Sequence, residues 1–186
     1  MKWPRWTLLL CVLATVIFFL PSIGSALIYD RELIQSGEWW RLVTGNLVHL
    51  SDRHFIFNVL GLLGVGAIIE LRGERYLWCI YLAAAAVIGL VVYITAPELR
   101  FFGGLSGIVS AGLVYLCVSG LRDPGAWRWL CSILLLCVVA KIGMEFIAGD
   151  LFFLAIEPQT FTPVPASHLA GACTALLAHR LPRMAE

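Results

Sequence analysis

Apolar residues run along this chain in blocks long enough to cross a bilayer, and the polar positions fall between the blocks. A spanning helix needs roughly 20 apolar residues. Six blocks approach that length: about 6–28, 55–71, 76–96, 104–121, 127–148 and 167–181. Pro21 and Gly24 loosen the first, and Pro97 ends the third. The second and sixth are short, so they embed thinly or borrow neighbouring residues. The pattern predicts an all-α, polytopic membrane protein with six transmembrane helices in one domain, residues 1–186. Two long connections, about 29–54 and 149–166, lie on one side. The first is amphipathic and aromatic; the second holds Pro158, Pro163 and Pro165 and reads as a mobile cap.

Composition agrees. The 186 residues are 60% hydrophobic and 13% charged, with a mean hydropathy of +0.88. Soluble domains are about 25% charged, and so short a chain cannot bury this much apolar surface in a soluble core. The net charge of +1 and the lack of a basic run exclude nucleic acid as a partner and leave the lipid bilayer. Lys and Arg set the orientation. With a cytoplasmic amino terminus, Lys2, Arg5, Arg72, Arg75, Arg122, Arg128, Arg180 and Arg183 lie inside. Arg31, Arg41, Arg53 and Arg100 lie outside, so both termini are expected in the cytoplasm. Lys2, Arg5 and the Gly24-Ser25-Ala26 run also suit a signal peptide, but the charge bias favours an uncleaved first span.

The six cysteines sit in or beside apolar blocks, form no C-x-x-C pair and do not cluster with histidine. They read as small hydrophobes, and no metal or cofactor is implied.

Three polar sites interrupt the apolar blocks at one depth on the outer side. Ser106 opens the fourth block, within Gly103-Gly104-Leu105-Ser106-Gly107. His168 opens the sixth, and His54 with Asn58 open the second. Polar groups in a membrane are costly and mark function. A hydroxyl beside an imidazole is the minimum for acyl transfer. His54 and Asn58, four residues apart, share a helix face. With the Ser106 backbone N–H they suit an oxyanion site; alternatively they bond loop carbonyls and pin the first loop. His49 is five residues from His54, the wrong spacing for one face, and is expected to brace the loop. Small residues at Gly103, Gly107 and Ala111, and at Gly171 and Ala175, permit close helix approach. No carboxylate is placed by sequence to orient His168, so the expectation is a Ser–His dyad. Lys141 and Glu145, four apart in the fifth block, read as an ion pair or a reader of a polar substrate feature. Glu70 is expected to pair with Arg72 or Arg75.

Four motifs in this order resemble the rhomboid family of intramembrane serine proteases. Glu38-Trp39-Trp40-Arg41 is similar to its tryptophan–arginine motif. His49 to Asn58 matches H-x4-H-x3-N. Gly104-Leu105-Ser106-Gly107 matches the nucleophile motif, and His168-Leu169-Ala170-Gly171 the base motif. The resemblance implies Ser106 as nucleophile, His168 as base, and His54, Asn58 and the Ser106 N–H as the oxyanion hole. It implies Arg41 and His49 as braces of the first loop, and the six-helix rhomboid core. Gly37–Asn58 and the Lys141/Glu145 pair resemble the bacterial rhombosortase branch. That likeness implies a bacterial inner-membrane endopeptidase cutting a transmembrane substrate with a carboxy-terminal Gly-Gly tail. Two other outcomes are a general rhomboid protease and a non-catalytic relative that binds membrane clients.

Overall fold

The computed structural model describes residues 3–74, 76–148 and 164–180. Residues 149–163 of the cap expected at about 149–166, and Arg75, lie outside the described residues.

The first apolar block is not one helix. α1 (Arg5–Phe19) stops at Leu20, and α2 (Pro21–Leu27) leaves at 110°. Proline lacks an N–H and disfavours helical geometry at the residue before it, so it restarts the helix as N1. The block expected over 6–28 is therefore a helix with a sharply bent extension, which together qualify as one broken span. The free N–H groups that begin α1 are satisfied from α5 (Asp52–Leu71). The Glu70 carboxylate accepts from the amides of Trp6 (3.2 Å) and Thr7 (2.7 Å) and from Thr7 Oγ1 (2.7 Å). That corrects the expected Glu70–Arg72 pair, for Arg72 pairs with Asp123 instead. A helix start offers four unpaired donors, which outcompete a solvated guanidinium for a carboxylate in reach.

The first loop is built and anchored. β1 (Tyr29–Asp30) pairs antiparallel with β2 (Phe101–Phe102), placing Tyr29 opposite Phe102 and Asp30 opposite Phe101. Asp30 then caps α3 (Arg31–Gln35), accepting from Glu32 N at 3.0 Å. Arg31 donates to the carbonyls of Tyr93 (2.7 Å) and Ala96 (2.9 Å), which end α6 (Leu77–Thr95). α4 (Arg41–Thr44) and a 3-10 turn (Gly45–Leu47) complete the loop. The loop is thereby tied to the strand that leads into Ser106.

The remaining helices are α5 (Asp52–Leu71), α7 (Ser106–Gly120), α8 (Ala126–Ala148) and α9 (Pro165–Arg180). Among the described residues α5, α6 and α8 are long and apolar enough to cross a membrane. The bent α1–α2 pair qualifies as a fourth, and α7 is apolar but only 15 residues long. Pro165, expected in the loop, is the first residue of α9, where its missing N–H costs nothing. α7 is central: it packs most closely on α9 and also contacts α5, α6 and α8. The outward faces are apolar, with Phe57 67%, Leu136 70% and Ile147 88% exposed. Such a surface cannot face water; this is a membrane protein.

Candidate active site

Ser106 is the first residue of α7, so its backbone N–H lies in the turn where a helix has unpaired donors. Gly104 supplies the turn before it, with φ +123°, a left-handed conformation that glycine adopts freely. Gly104 also makes room for His54. A Cβ at Gly104 would overlap that ring, with Nε2 2.9 Å away. The His54 imidazole thus lies against the backbone two residues before Ser106.

α5 aims His54 from a fixed start. Ser51 Oγ accepts from the His54 amide (3.3 Å), which makes Ser51 the cap and puts His54 in the first turn. Asn58 follows one turn later, 6% exposed, and its Nδ2 has no hydrogen-bond partner. A buried amide donor left unpaired is costly. The alternative in which Asn58 bonds a loop carbonyl is not what the structure contains.

α9 brings His168 to the same place. Ser167, beside it, donates from Oγ to the Val164 carbonyl (2.7 Å) and so fixes the first turn. α7 and α9 touch through their backbones at this level. A Cβ on Gly171 would overlap the Gly107 carbonyl, and one on Gly107 would stand 2.9 Å from the Ser167 carbonyl oxygen. Gly107 follows Ser106 and Ser167 precedes His168, so the two helices bring Ser106 and His168 to one crossing. His54 lies within electrostatic reach of His168. No hydrogen bond links Ser106 Oγ to His168 among the described residues. Catalytic contacts of this type commonly tighten only with substrate.

His49 and Arg41 hold the surroundings. His49 Nε2 accepts from the Leu105 amide (3.4 Å), so the ring braces the residue before Ser106. That contact needs a neutral ring with its proton on Nδ1. Burial, and then the neighbouring His54, hold the His49 pKa down at about 3. Arg41, 4% exposed, donates to the carbonyls of Ser25 (3.0 Å) and Ile28 (2.8 Å) and to Glu38 Oε2 (2.7 Å).

One contact departs from the sequence expectation. Glu145 Oε2 lies 2.7 Å from His168 Nδ1, and Glu145 is 2% exposed. The expectation that no carboxylate reaches His168 is overturned. Lys141 Nζ lies 2.5 Å from the other oxygen, Oε1, and 3.3 Å from His168 Nδ1. The Lys141–Glu145 pair is real, but it is half of a cluster centred on the imidazole. A sequence signal existed. Cys131, Val138, Ile142 and Glu145 are the buried positions of α8 and recur at helical spacing. Glu145 is the one acidic residue on that inward stripe.

Residues 36–182 match the model of the Rhomboid domain. The chain belongs to the rhomboid family. It is 27% identical over 161 residues to the rhomboid protease GluP of Bacillus subtilis, an alignment covering 80% of this chain and 31% of that protein. It is 33% identical over 120 residues to the rhomboid protease GlpG of Haemophilus influenzae, covering 60% of this chain and 61% of that protein. The chain therefore matches less than two thirds of the length of either relative. The rhomboid match takes in Arg41, His49, His54, Asn58, Ser106, Lys141, Glu145 and His168.

Proposed function

We propose that this rhomboid is an intramembrane serine endopeptidase. The observation that carries the reading is the backbone contact of Gly107 with Ser167 and Gly171, with His54 packed against Gly104 on the other side. Ser106 Oγ attacks the scissile carbonyl while His168 Nε2 takes the hydroxyl proton. The carbonyl oxygen becomes an oxyanion, received by the Ser106 N–H, His54 and the unpaired Asn58 Nδ2. The intermediate collapses, His168 gives its proton to the leaving amine, and the C–N bond breaks. Water, with His168 again as base, then hydrolyses the ester and restores Ser106.

The substrate is a transmembrane segment cut near its outer boundary. The likeness to rhombosortases supports a carboxy-terminal Gly-Gly tail, since glycine at the cut leaves room for close backbone approach. The chain is a single six-span domain of the bacterial inner membrane. Its charge asymmetry supports cytoplasmic termini and a site open to the outer side.

Cleavage in liposomes tests this. Wild type should release product from a Gly-Gly-tailed membrane substrate, and Ser106→Ala and His168→Ala should each abolish it. Full activity in either variant would remove the assignment. A wild type that folds but cuts nothing would favour a non-catalytic client binder. Equal cleavage of a substrate whose Gly-Gly is replaced by Leu-Leu would favour a general rhomboid protease.

A further inference from the structure

Glu145 and Lys141 occupy the side of His168 that the proposed chemistry leaves unused. The imidazole must present a bare Nε2 to Ser106, and its other nitrogen, Nδ1, decides whether it does. Glu145 Oε2 stands 2.7 Å from Nδ1, and the contact is buried. An ionised carboxylate only accepts hydrogen bonds. It therefore favours a proton on Nδ1, which leaves the lone pair on Nε2. The opposite tautomer would set a lone pair against a carboxylate in a low-dielectric interior. Lys141 bears on the same choice. Its ammonium lies against Glu145 Oε1 (2.5 Å) and balances a carboxylate that would otherwise be a lone buried charge. It is also 3.3 Å from Nδ1, where it could donate only to the unwanted tautomer. The shorter Glu145 contact prevails. Among the described residues, the ionisable groups facing His168 are then Glu145 and Lys141 from α8 and His54 from α5.

We propose that Glu145 is a positioning residue that fixes the tautomer and orientation of His168, so that the site works as a Ser106–His168–Glu145 triad. Lys141 keeps the Glu145 carboxylate charged and aimed. No atom of Glu145 bonds to substrate, and its carboxylate takes no proton during the reaction; it stabilises the imidazolium that forms when Ser106 is deprotonated. The inference rests on the reading of Ser106 and His168 as the reacting pair. It adds that the pair alone is incomplete.

The comparison of Glu145→Gln, Glu145→Asp and Ser106→Ala tests it in the full chain, reconstituted in liposomes. Glu145→Gln keeps the shape but no longer selects a tautomer. It should lower kcat by up to about 10⁴-fold, the loss seen when the carboxylate of a serine-protease triad becomes its amide. KM should change little, because the carboxylate touches no substrate. Glu145→Asp keeps the charge and should recover part of the loss. Nitrogen-15 NMR of histidine-labelled protein gives a readout that a merely structural role would not move. In wild type the His168 signals should report a protonated Nδ1 and a bare Nε2, and in Glu145→Gln a mixture. An unchanged kcat in Glu145→Gln, or an unchanged His168 tautomer, overturns the triad while leaving the Ser106 reading intact. Activity surviving in Ser106→Ala overturns the underlying reading instead. If Glu145→Gln loses both fold and activity, the aspartate variant and its NMR signature still decide.

Discussion

Asn58 separates two roles that its sequence position left open. A structural asparagine spends its amide on backbone carbonyls; this one keeps Nδ2 unpaired while 6% exposed. Asn58→Ala should lower kcat by about 10²-fold, the loss typical of one oxyanion donor. Its melting temperature should hold, because no hydrogen bond of Nδ2 is lost. A large fall in melting temperature with normal turnover per folded molecule would return Asn58 to a structural role. His49 carries a prediction of opposite character. Its pKa is held near 3 against an ordinary 6.5, so between those values the unfolded chain takes up a proton that the folded chain refuses. Stability from this group is complete above about pH 6.5 and drains away as the pH falls toward 3, at no more than about 1.4 kcal/mol per pH unit. Melting temperatures between pH 7 and pH 5 should therefore fall more steeply in wild type than in His49→Gln; parallel slopes would mean that His49 titrates normally. At this scale the sequence pointed to Ser106, His168, His54 and Asn58 because serine, histidine and asparagine are conspicuous among apolar neighbours. It hid the Glu145–His168 contact because 23 positions separate them, and only the packing of α8 on α9 joins them. An i, i+4 partner in Lys141 offered a simpler local explanation.

Helix packing depends on small residues where two backbones meet. Gly171 lies against the Gly107 carbonyl, and any Cβ there would overlap it. Gly171→Val should push α9 off α7. Overpacking of this kind costs about 1–3 kcal/mol, and the same displacement moves His168 away from Ser106. The variant should lose cleavage by more than its loss of folded protein explains, measured as product per molecule surviving a thermal challenge. Retained turnover would show that the crossing is looser than the backbone contact implies. The apolar blocks predicted the helix positions to within a few residues, since α5, α6, α7, α8 and α9 begin and end close to the expected bounds. Block length is a direct consequence of bilayer thickness, so it is legible. The 110° break before Pro21 and the Glu70 cap of α1 were not. Hydropathy averages over a proline break, and a carboxylate 63 residues from the donor it caps is a tertiary choice. Nor do length and apolarity alone qualify all the expected spans: α7 has 15 residues and α9 has 16. Their buried, glycine- and alanine-rich faces are selected by neighbouring helices rather than by lipid.

The whole molecule gathers its chemistry at one end. α5 starts at Asp52, α7 at Ser106 and α9 at Pro165, and the helix starts that carry His54, Ser106 and His168 converge on the end held by the first loop and the β1–β2 pair. If one of these helices ran the other way, its polar residue would sit at the opposite membrane face. The charges give that shared end a direction. The sequence assigns eight Lys and Arg residues to the opposite side and four to the loop side, and the proposed orientation, with the loop side away from the cytoplasm, rests on that bias. Single cysteines at Glu98 and at Asp123, in a background with the six native cysteines replaced, would read the direction. Glu98 lies in the connection from α6 to β2, and Asp123 in the turn from α7 to α8. A membrane-impermeant maleimide added to intact spheroplasts should label the cysteine at Glu98 and leave that at Asp123 untouched until the membrane is permeabilised. The reverse pattern would put the serine at the cytoplasmic face and exclude substrates exported before they are cut. Labelling of both in intact cells would mean a mixed topology, which a charge difference of eight to four should prevent. The expected pattern sets a sequence of events as well. Under the proposed function, that pattern would require a substrate to be inserted, with its cut site at the outer boundary, before Ser106 could reach it.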